Sequence, residues 1–167
     1  MPRSEQGVSS DRYQVIPRTL TFIRRGEAVL LIKGAPTKRL WANRYNGIGG
    51  HVERGEDVLS SAEREIKEET GLTVRDLRLA GIVMVDSGEA AGIGIFVYRA
   101  AYDGGALIES PEGSLEWVPM QRLNDYPLVE DLPFLIERVF GEKRGKDLFF
   151  ARYSYNEAEE LVIETRD

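Results

Sequence analysis

The sequence predicts an α/β fold, a sandwich of helices around a mixed β-sheet. Three observations carry that prediction. Runs that alternate like strands outnumber the helical runs, of which there are two. Strands and helices do not follow the regular βαβ order of a doubly wound sheet. The chain of 167 residues is 42% hydrophobic and 30% charged, a composition able to bury one domain's core.

The elements follow in order. Met1 to Asp11 is polar, without the apolar stretch of a signal peptide, and reads as a flexible tail ahead of a single domain over 12–167. Tyr13 to Arg24 and Ala28 to Lys33 read as strands around the turn Arg25-Gly26-Glu27, with Pro17 marking an edge or a bend. Gly34 to Arg44 is a loop, and the glycine-rich Tyr45 to Val52 is a short strand running into another loop. Asp57 to Thr70 is the strongest helix, with an acid at its start and Gly71 as its stop. Leu77 to Asp86 and Ile93 to Tyr102 alternate like strands across Ser87-Gly88-Glu89, and Leu115 to Val118 is a short strand ending at Pro119. Leu132 to Phe140 is a second helix with Pro133 in its first turn. Leu148 to Tyr155 and Leu161 to Thr165 form a closing hairpin.

Composition narrows the function classes. No cysteine is present, so disulfides and thiolate metal sites are excluded, and a single histidine makes a histidine-based zinc site a poor fit. A metal here is held by oxygen, which selects Mg²⁺ or Mn²⁺. No apolar run reaches the ~18 residues that cross a bilayer. We expect a cytoplasmic protein that engages no membrane. A net charge of -6 argues against binding a nucleic-acid polymer. It also makes a polyphosphate ligand repulsive unless metal ions lie between.

The first helix carries the chemistry. Successive residues rotate by about 100°. Val58, Leu59, Ala62 and Ile66 therefore make an apolar stripe, and Ser60, Glu63 and Lys67 face water. Glu65, Glu68 and Glu69 fall beside the stripe. Three acids near an apolar edge repel one another and lose hydration, a penalty a divalent cation removes. Arg64 stands four residues before Glu68, placed to pair with the acids. Gly47, Gly49, Gly50 and Gly55 surround the start of the helix. They make tight turns and allow backbone to approach a metal or phosphate, so that a carbonyl of Gly49 or Gly50 is a candidate ligand.

Gly50, Glu56, Arg64, Glu65, Glu68, Glu69 and Gly71, with Ile66 and Leu72 aliphatic, occupy the fixed positions of the Nudix box. The chain resembles the Nudix hydrolase superfamily, whose members cleave a nucleoside diphosphate linked to another group by metal-assisted attack of water on phosphorus. The resemblance implies a Nudix-type α/β/α sandwich. It implies that Glu65, Glu68 and Glu69 are metal carboxylates, that the Gly50 carbonyl is a further ligand, that Glu56 supports the metal, and that Arg64 orients a glutamate. Arg44-Tyr45-Asn46-Gly47-Ile48-Gly49-Gly50, Glu109-Ser110-Pro111-Glu112 with Trp117, and Phe149-Phe150-Ala151-Arg152-Tyr153 are similar to the MutT-type members that hydrolyse oxidised purine nucleoside triphosphates. That similarity makes Asn46 a reader of the base, Tyr45 a possible aromatic platform in place of tryptophan, Glu112 a late metal ligand or base, and Asp131 or Glu130 the acid ahead of the second helix that contacts the base.

The side chains fit those tasks. An asparagine amide offers a donor and an acceptor to a purine edge. Trp117 reads as core, and His51 as a structural or substrate-contact residue. Lys33, Lys38, Arg39 and Arg44 are loop cations available to phosphates, with Lys33 and Arg44 the preferred pair. The expected reaction is Mg²⁺- or Mn²⁺-dependent hydrolysis of a nucleoside triphosphate of the 8-oxo-dGTP type to the monophosphate and pyrophosphate. Glu112 or one of the helix glutamates accepts the proton of water. ADP-ribose, nucleotide sugars and dinucleoside polyphosphates are the alternative substrates, and a non-catalytic nucleotide-sensing module is the alternative class. The partner is a small nucleotide, and the protein is a monomer or a homodimer.

Overall fold

In a computed structural model of the protein, which describes residues 1–142 and 147–166, eight strands form one mixed sheet flanked by two helices. The strands are β1 (Gln14–Arg25), β2 (Ala28–Gly34), β3 (Tyr45–Asn46), β4 (Thr73–Val85), β5 (Ala91–Gly104), β6 (Gly113–Pro119), β7 (Phe149–Tyr155) and β8 (Leu161–Arg166). The helices are α1 (Val58–Thr70) and α2 (Leu132–Phe140). The sheet runs β3-β2-β1-β5-β4-β7-β8, with β6 on the far side of β2. The β1–β5 and β4–β7 pairs are parallel and the other strand pairs antiparallel, which bears out the mixed sheet.

Two cores lie on opposite faces. One gathers Phe22, Val29, Leu31, Val97 and Val118 against Leu132, Leu135, Ile136 and Val139 of α2. The other gathers Ile23, Leu30, Ile32, Ile48 and Ala100 against Ile66 of α1. Alternate β2 residues serve alternate cores, which explains the unbroken apolar run Ala28 to Ile32: a strand covered on both faces has no solvent side.

The arrangement that positions the site is a splay between β1 and β2. They pair only at Ile23–Arg25 and Ala28–Leu30. Beyond that hairpin the chain from Tyr45 to Val52 wedges between them. Tyr45 and Asn46 pair with Lys33 and Ile32 of β2. Then Ile48 exchanges two backbone hydrogen bonds with Thr21 (2.6 and 3.0 Å), the Gly50 carbonyl accepts from the Thr19 N–H (2.9 Å), and the Val52 N–H donates to the Pro17 carbonyl (3.1 Å). Pro17 thus lies inside β1, opposite Gly94 of β5, with the wedge as its other neighbour.

Two details differ from expectation. The buried side of α1 is Ser61, Ala62, Ile66 and Thr70, whereas Leu59 is 42% exposed. Asp57 caps the helix from outside, accepting from the Leu59 and Ser60 N–H groups (2.9 Å each), and the rotation it sets turns Leu59 outward. The stretch Met120–Asp125, left as connection by the sequence, is a 3-10 helix. Among the described residues no helix is long and apolar enough to cross a membrane.

Leu30 is fully buried. Leu30→Ala should therefore destabilise the fold by about 2–5 kcal/mol. Leu59→Ala should change it by less than ~0.5 kcal/mol. Urea midpoints of the two variants check this, and equal losses would contradict the assigned helix face.

Candidate active site

The helix that bears the acids is fixed at both ends. Asp57 caps its start, and Ser60 Oγ donates to the same carboxylate (2.7 Å). Gly71 ends it in the left-handed region at φ 71°, its N–H donating to the Lys67 carbonyl (3.0 Å). Between those points Glu65 and Glu69, four residues apart, form one ridge facing the wedge loop.

Two glycines let that loop close on the ridge. A Cβ on Gly50 would stand 2.5 Å from Glu65 Oε1, and one on Gly49 would collide with the Thr19 carbonyl. With no side chains in the way, the Gly49 N–H donates to Glu69 Oε2 (3.1 Å). The Gly50 carbonyl already accepts from Thr19, and its second lone pair remains available.

Arg64 organises the acids from the other side. Its Nε and Nη2 hold Glu56 Oε1 and Oε2 in a fork (2.6 and 3.0 Å). Its Nη1 reaches Glu65 Oε1 (2.8 Å) and Glu68 Oε2 (3.1 Å), and its Nη2 also reaches the His51 carbonyl (3.2 Å). The Arg64 fork and the Glu53 N–H hold the Glu56 carboxyl down to about 2. Glu65 is 13% exposed and Glu68 61% exposed.

Glu69 has the opposite environment. It is half-buried, and loss of hydration pushes its carboxyl up to about 7 against the pull of the Gly49 N–H. Neighbouring Glu65 and Glu112 raise it further, and Lys38 offsets part of that. Glu112 arrives on the loop before β6, where its carboxylate forms an ion pair with Lys38. The two loops also meet through the Ala35 N–H and the Glu112 carbonyl (3.1 Å). Between them lies a cleft of about 730 Å³ walled by residues that include Lys33, Asn43, Ile108 and Glu109.

The structure brings together Arg64, Glu65, Glu68, Glu69, Gly50 and Glu112, in the looser sense that they share one electrostatic neighbourhood. It corrects the expectation of converged acids. Among the described residues no three of His, Cys, Asp or Glu stand close enough to enclose an ion. The reason is competition: Arg64 draws Glu65 and Glu68, Gly49 draws Glu69, and Lys38 draws Glu112. The residues nevertheless fit a hard divalent cation. Their donors are oxygens, the glycines leave backbone beside them, and Glu69 is an acid in apolar surroundings whose nearby acids raise the cost of its charge.

Of the other expected site residues, Glu56 and Tyr45 are placed differently. Glu56 is fully engaged by Arg64 and the Glu53 N–H, so it anchors the arginine instead of offering a free ligand. Tyr45 is no platform. It is 8% exposed, its ring packs edge-on against Tyr126, and its hydroxyl donates to Glu116 (2.6 Å). Lys33 lies 5.8 Å from the Tyr45 ring centroid and lines the cleft. Arg44 is exposed in the loop before β3. Asn46 spends one lone pair of its amide oxygen on the Gly47 N–H (2.8 Å). Asp131 lies at the start of α2, where burial pushes its carboxyl up and the Tyr153 hydroxyl is its electrostatic partner, although that hydroxyl completes no hydrogen bond of ordinary geometry. Trp117 packs in the α1-side core, with Arg25 stacked 4.2 Å from its ring centroid. Lys38, and not the preferred Lys33 or Arg44, is the cation beside the acids; in sequence nothing separated it from Arg39.

A family model described as the NUDIX domain matches residues 16–139. The chain is 32% identical over 106 residues to an oxidized purine nucleoside triphosphate hydrolase of Danio rerio, across 63% of this chain and 67% of that protein. It is 30% identical over the same length, with the same coverage, to the protein of that description from Mus musculus. Among solved structures, a mutator MutT protein from Bacillus halodurans superposes with a TM-score of 0.73 at 25% identity, covering 90% of this chain and 97% of that one.

Glu69 makes stability depend on pH in metal-free buffer. Its ordinary value is 4.5 and its folded value about 7. Below 4.5 both folded and unfolded states hold the proton. Between 4.5 and about 7 only the folded state keeps it, so stability falls as pH rises, and above that range the loss is complete. The whole effect is on the order of 3 kcal/mol at most. In EDTA, Glu69→Gln should flatten this slope and raise stability at pH 8. Urea midpoints from pH 5 to 8 measure it, and an unchanged slope would refute the assignment.

Proposed function

The chain belongs to the NUDIX domain family, and from that premise we propose that this hydrolase acts on a nucleoside triphosphate with an oxidised purine base, releasing the monophosphate and pyrophosphate. The observation that carries the reading is the half-buried Glu69 beside Glu65, pressed against a side-chain-free backbone at Gly49 and Gly50. The named activity of the two animal relatives supports the substrate class.

Glu65, Glu68 and Glu69, with the Gly50 carbonyl, are the groups that would hold Mg²⁺ or Mn²⁺. When bound, such an ion neutralises phosphate oxygens and makes water more acidic. The remaining work belongs to side chains. Arg64 fixes the orientation of Glu65 and Glu68, and Glu56 fixes Arg64. Glu112 and the helix acids are the candidates to accept the proton from attacking water. Glu112 is favoured because its side chain is 49% exposed and its carboxylate is tied only to one flexible lysine.

Base recognition falls to Asn46 and Asp131. The Asn46 amide retains its NH₂ donors. Asp131 is linked to the same edge because the Tyr45 N–H donates to the Pro127 carbonyl (2.9 Å) and the Val129 N–H to the Tyr45 carbonyl (3.0 Å). Burial shifts the Asp131 carboxyl toward its protonated form, against the pull of the Tyr153 hydroxyl.

Initial rates with 8-oxo-dGTP, 2-hydroxy-dATP, dGTP and ADP-ribose, in Mg²⁺ and in EDTA, test the proposal. The oxidised nucleotides should lead, and EDTA should abolish turnover. Preference for ADP-ribose would overturn the substrate assignment. Glu65→Gln and Glu68→Gln should each lower kcat by about a hundredfold or more while leaving the urea midpoint close to that of the parent.

A further inference from the structure

Lys38 and Glu112 form an ion pair between the two loops that flank the cleft, and no step above uses Lys38. Each end is anchored independently of the pair. The Lys38 N–H donates to the Ala35 carbonyl (3.0 Å), closing a turn. Glu112 sits in a second turn, its N–H donating to Ser110 Oγ (3.1 Å). The backbone bond from Ala35 to the Glu112 carbonyl (3.1 Å) holds the two loops together whether or not the side chains touch. Separating the ion pair therefore moves two side chains and leaves the loops in place.

The pair is also weakly held. Lys38 is 39% and Glu112 49% exposed, and ion pairs of that exposure contribute about 1 kcal/mol or less. Both charges act on Glu69, the lysine favouring its ionised form and the glutamate opposing it. Cation and anion thus lie within electrostatic reach of the acid ridge. A phosphate chain entering there presents several negative charges to a lysine that holds only one.

We propose that Lys38 is an exchange latch: it neutralises Glu112 in the ligand-free protein and transfers to the phosphate chain of the ligand, releasing the Glu112 carboxylate beside the acid ridge. Lys38 is a ligand-binding residue that also sets whether Glu112 is paired, and its role deepens the function proposed above. Ligands whose phosphates do not reach Lys38 leave Glu112 paired, so the latch favours an extended phosphate chain. The exchange involves no bond making and no proton transfer.

Inorganic tripolyphosphate, titrated calorimetrically into the full chain in EDTA, reads the exchange without turnover. Glu112→Gln leaves Lys38 unpaired and should tighten binding by up to about fivefold. Lys38→Gln should weaken binding about tenfold, with Lys38→Arg restoring most of it. Glu112→Gln made in the Lys38→Gln protein should tighten binding much less than in the parent, which separates loss of a partner from loss of a negative charge. With a hydrolysable substrate, Lys38→Gln should raise KM far more than it lowers kcat. Equal tightening by Glu112→Gln in both backgrounds, or tripolyphosphate binding undetectable in parent and Glu112→Gln alike, overturns the latch. Since the probe is inorganic and the buffer metal-free, failure of every nucleotide to turn over would sink the substrate assignment without altering this result.

Discussion

The contact between a bare backbone and two carboxylates is the constraint around which the rest of this structure is arranged. Glu69 takes a hydrogen bond from the Gly49 N–H, and Glu65 packs where a Cβ on Gly50 would sit. That contact needs a strand-like segment pressed against one face of α1, and the splay of β1 from β2 supplies it. The wedge from Tyr45 to Val52 satisfies its backbone groups on both neighbours, so it is held as firmly as a strand while carrying glycines that a central strand would not tolerate well. The α1-side core then locks the helix over the wedge through Ile48 and Ile66.

Arg64 is the counterpart of that constraint. A guanidinium presents its donors in a fixed fork, and here the fork spans Glu56, Glu65, Glu68 and the His51 carbonyl. Lysine could not copy this, since an ammonium has three donors for the five bonds that Arg64 makes to three acids and a carbonyl. Without a cation the helix acids would repel, and Arg64 holds two of them, Glu65 and Glu68, in place. Glu69 lies outside its reach and is instead held by backbone, which explains why burial acts on Glu69 so strongly.

Much of this was legible in the sequence because it is local. Caps, turns and the spacing of acids along α1 are decided within a few residues, and the elements were recovered with ends shifted by a few positions. One exception is itself local, and the others are not. Leu59 falls at the margin of the apolar arc, and the position of Asp57 as a cap turns it outward. Tyr45 looked like a platform because its neighbours Arg44, Asn46 and Gly47 match a ligand-binding stretch. Its inward direction is set by pairing with Lys33, and its hydroxyl is bound by Glu116 of β6, far along the chain. The partnership of Lys38 with Glu112 likewise joins two loops that no periodicity relates.

The separation of the two cores bears on how substrate choice relates to chemistry. The acids belong to α1 and its face of the sheet, whereas Asp131 belongs to the start of α2 on the opposite face. The only covalent route from one to the other is long, but a short hydrogen-bonded route runs through β3, where Tyr45 bonds to Pro127 and Val129 on one side while the chain continues to Gly49 and Gly50 on the other. Asn46 lies within that bridge. On the proposed function, a change in the loop before α2 would alter base recognition without disturbing the carboxylates, because it acts on the far end of the wedge. A change in β3 itself would reach both ends. For this reason the burial of Tyr45 matters more than its absence as a platform: a tyrosine packed on Tyr126 and bonded to Glu116 stiffens the one segment that joins Asn46 and the loop before α2 to Gly49 and Gly50.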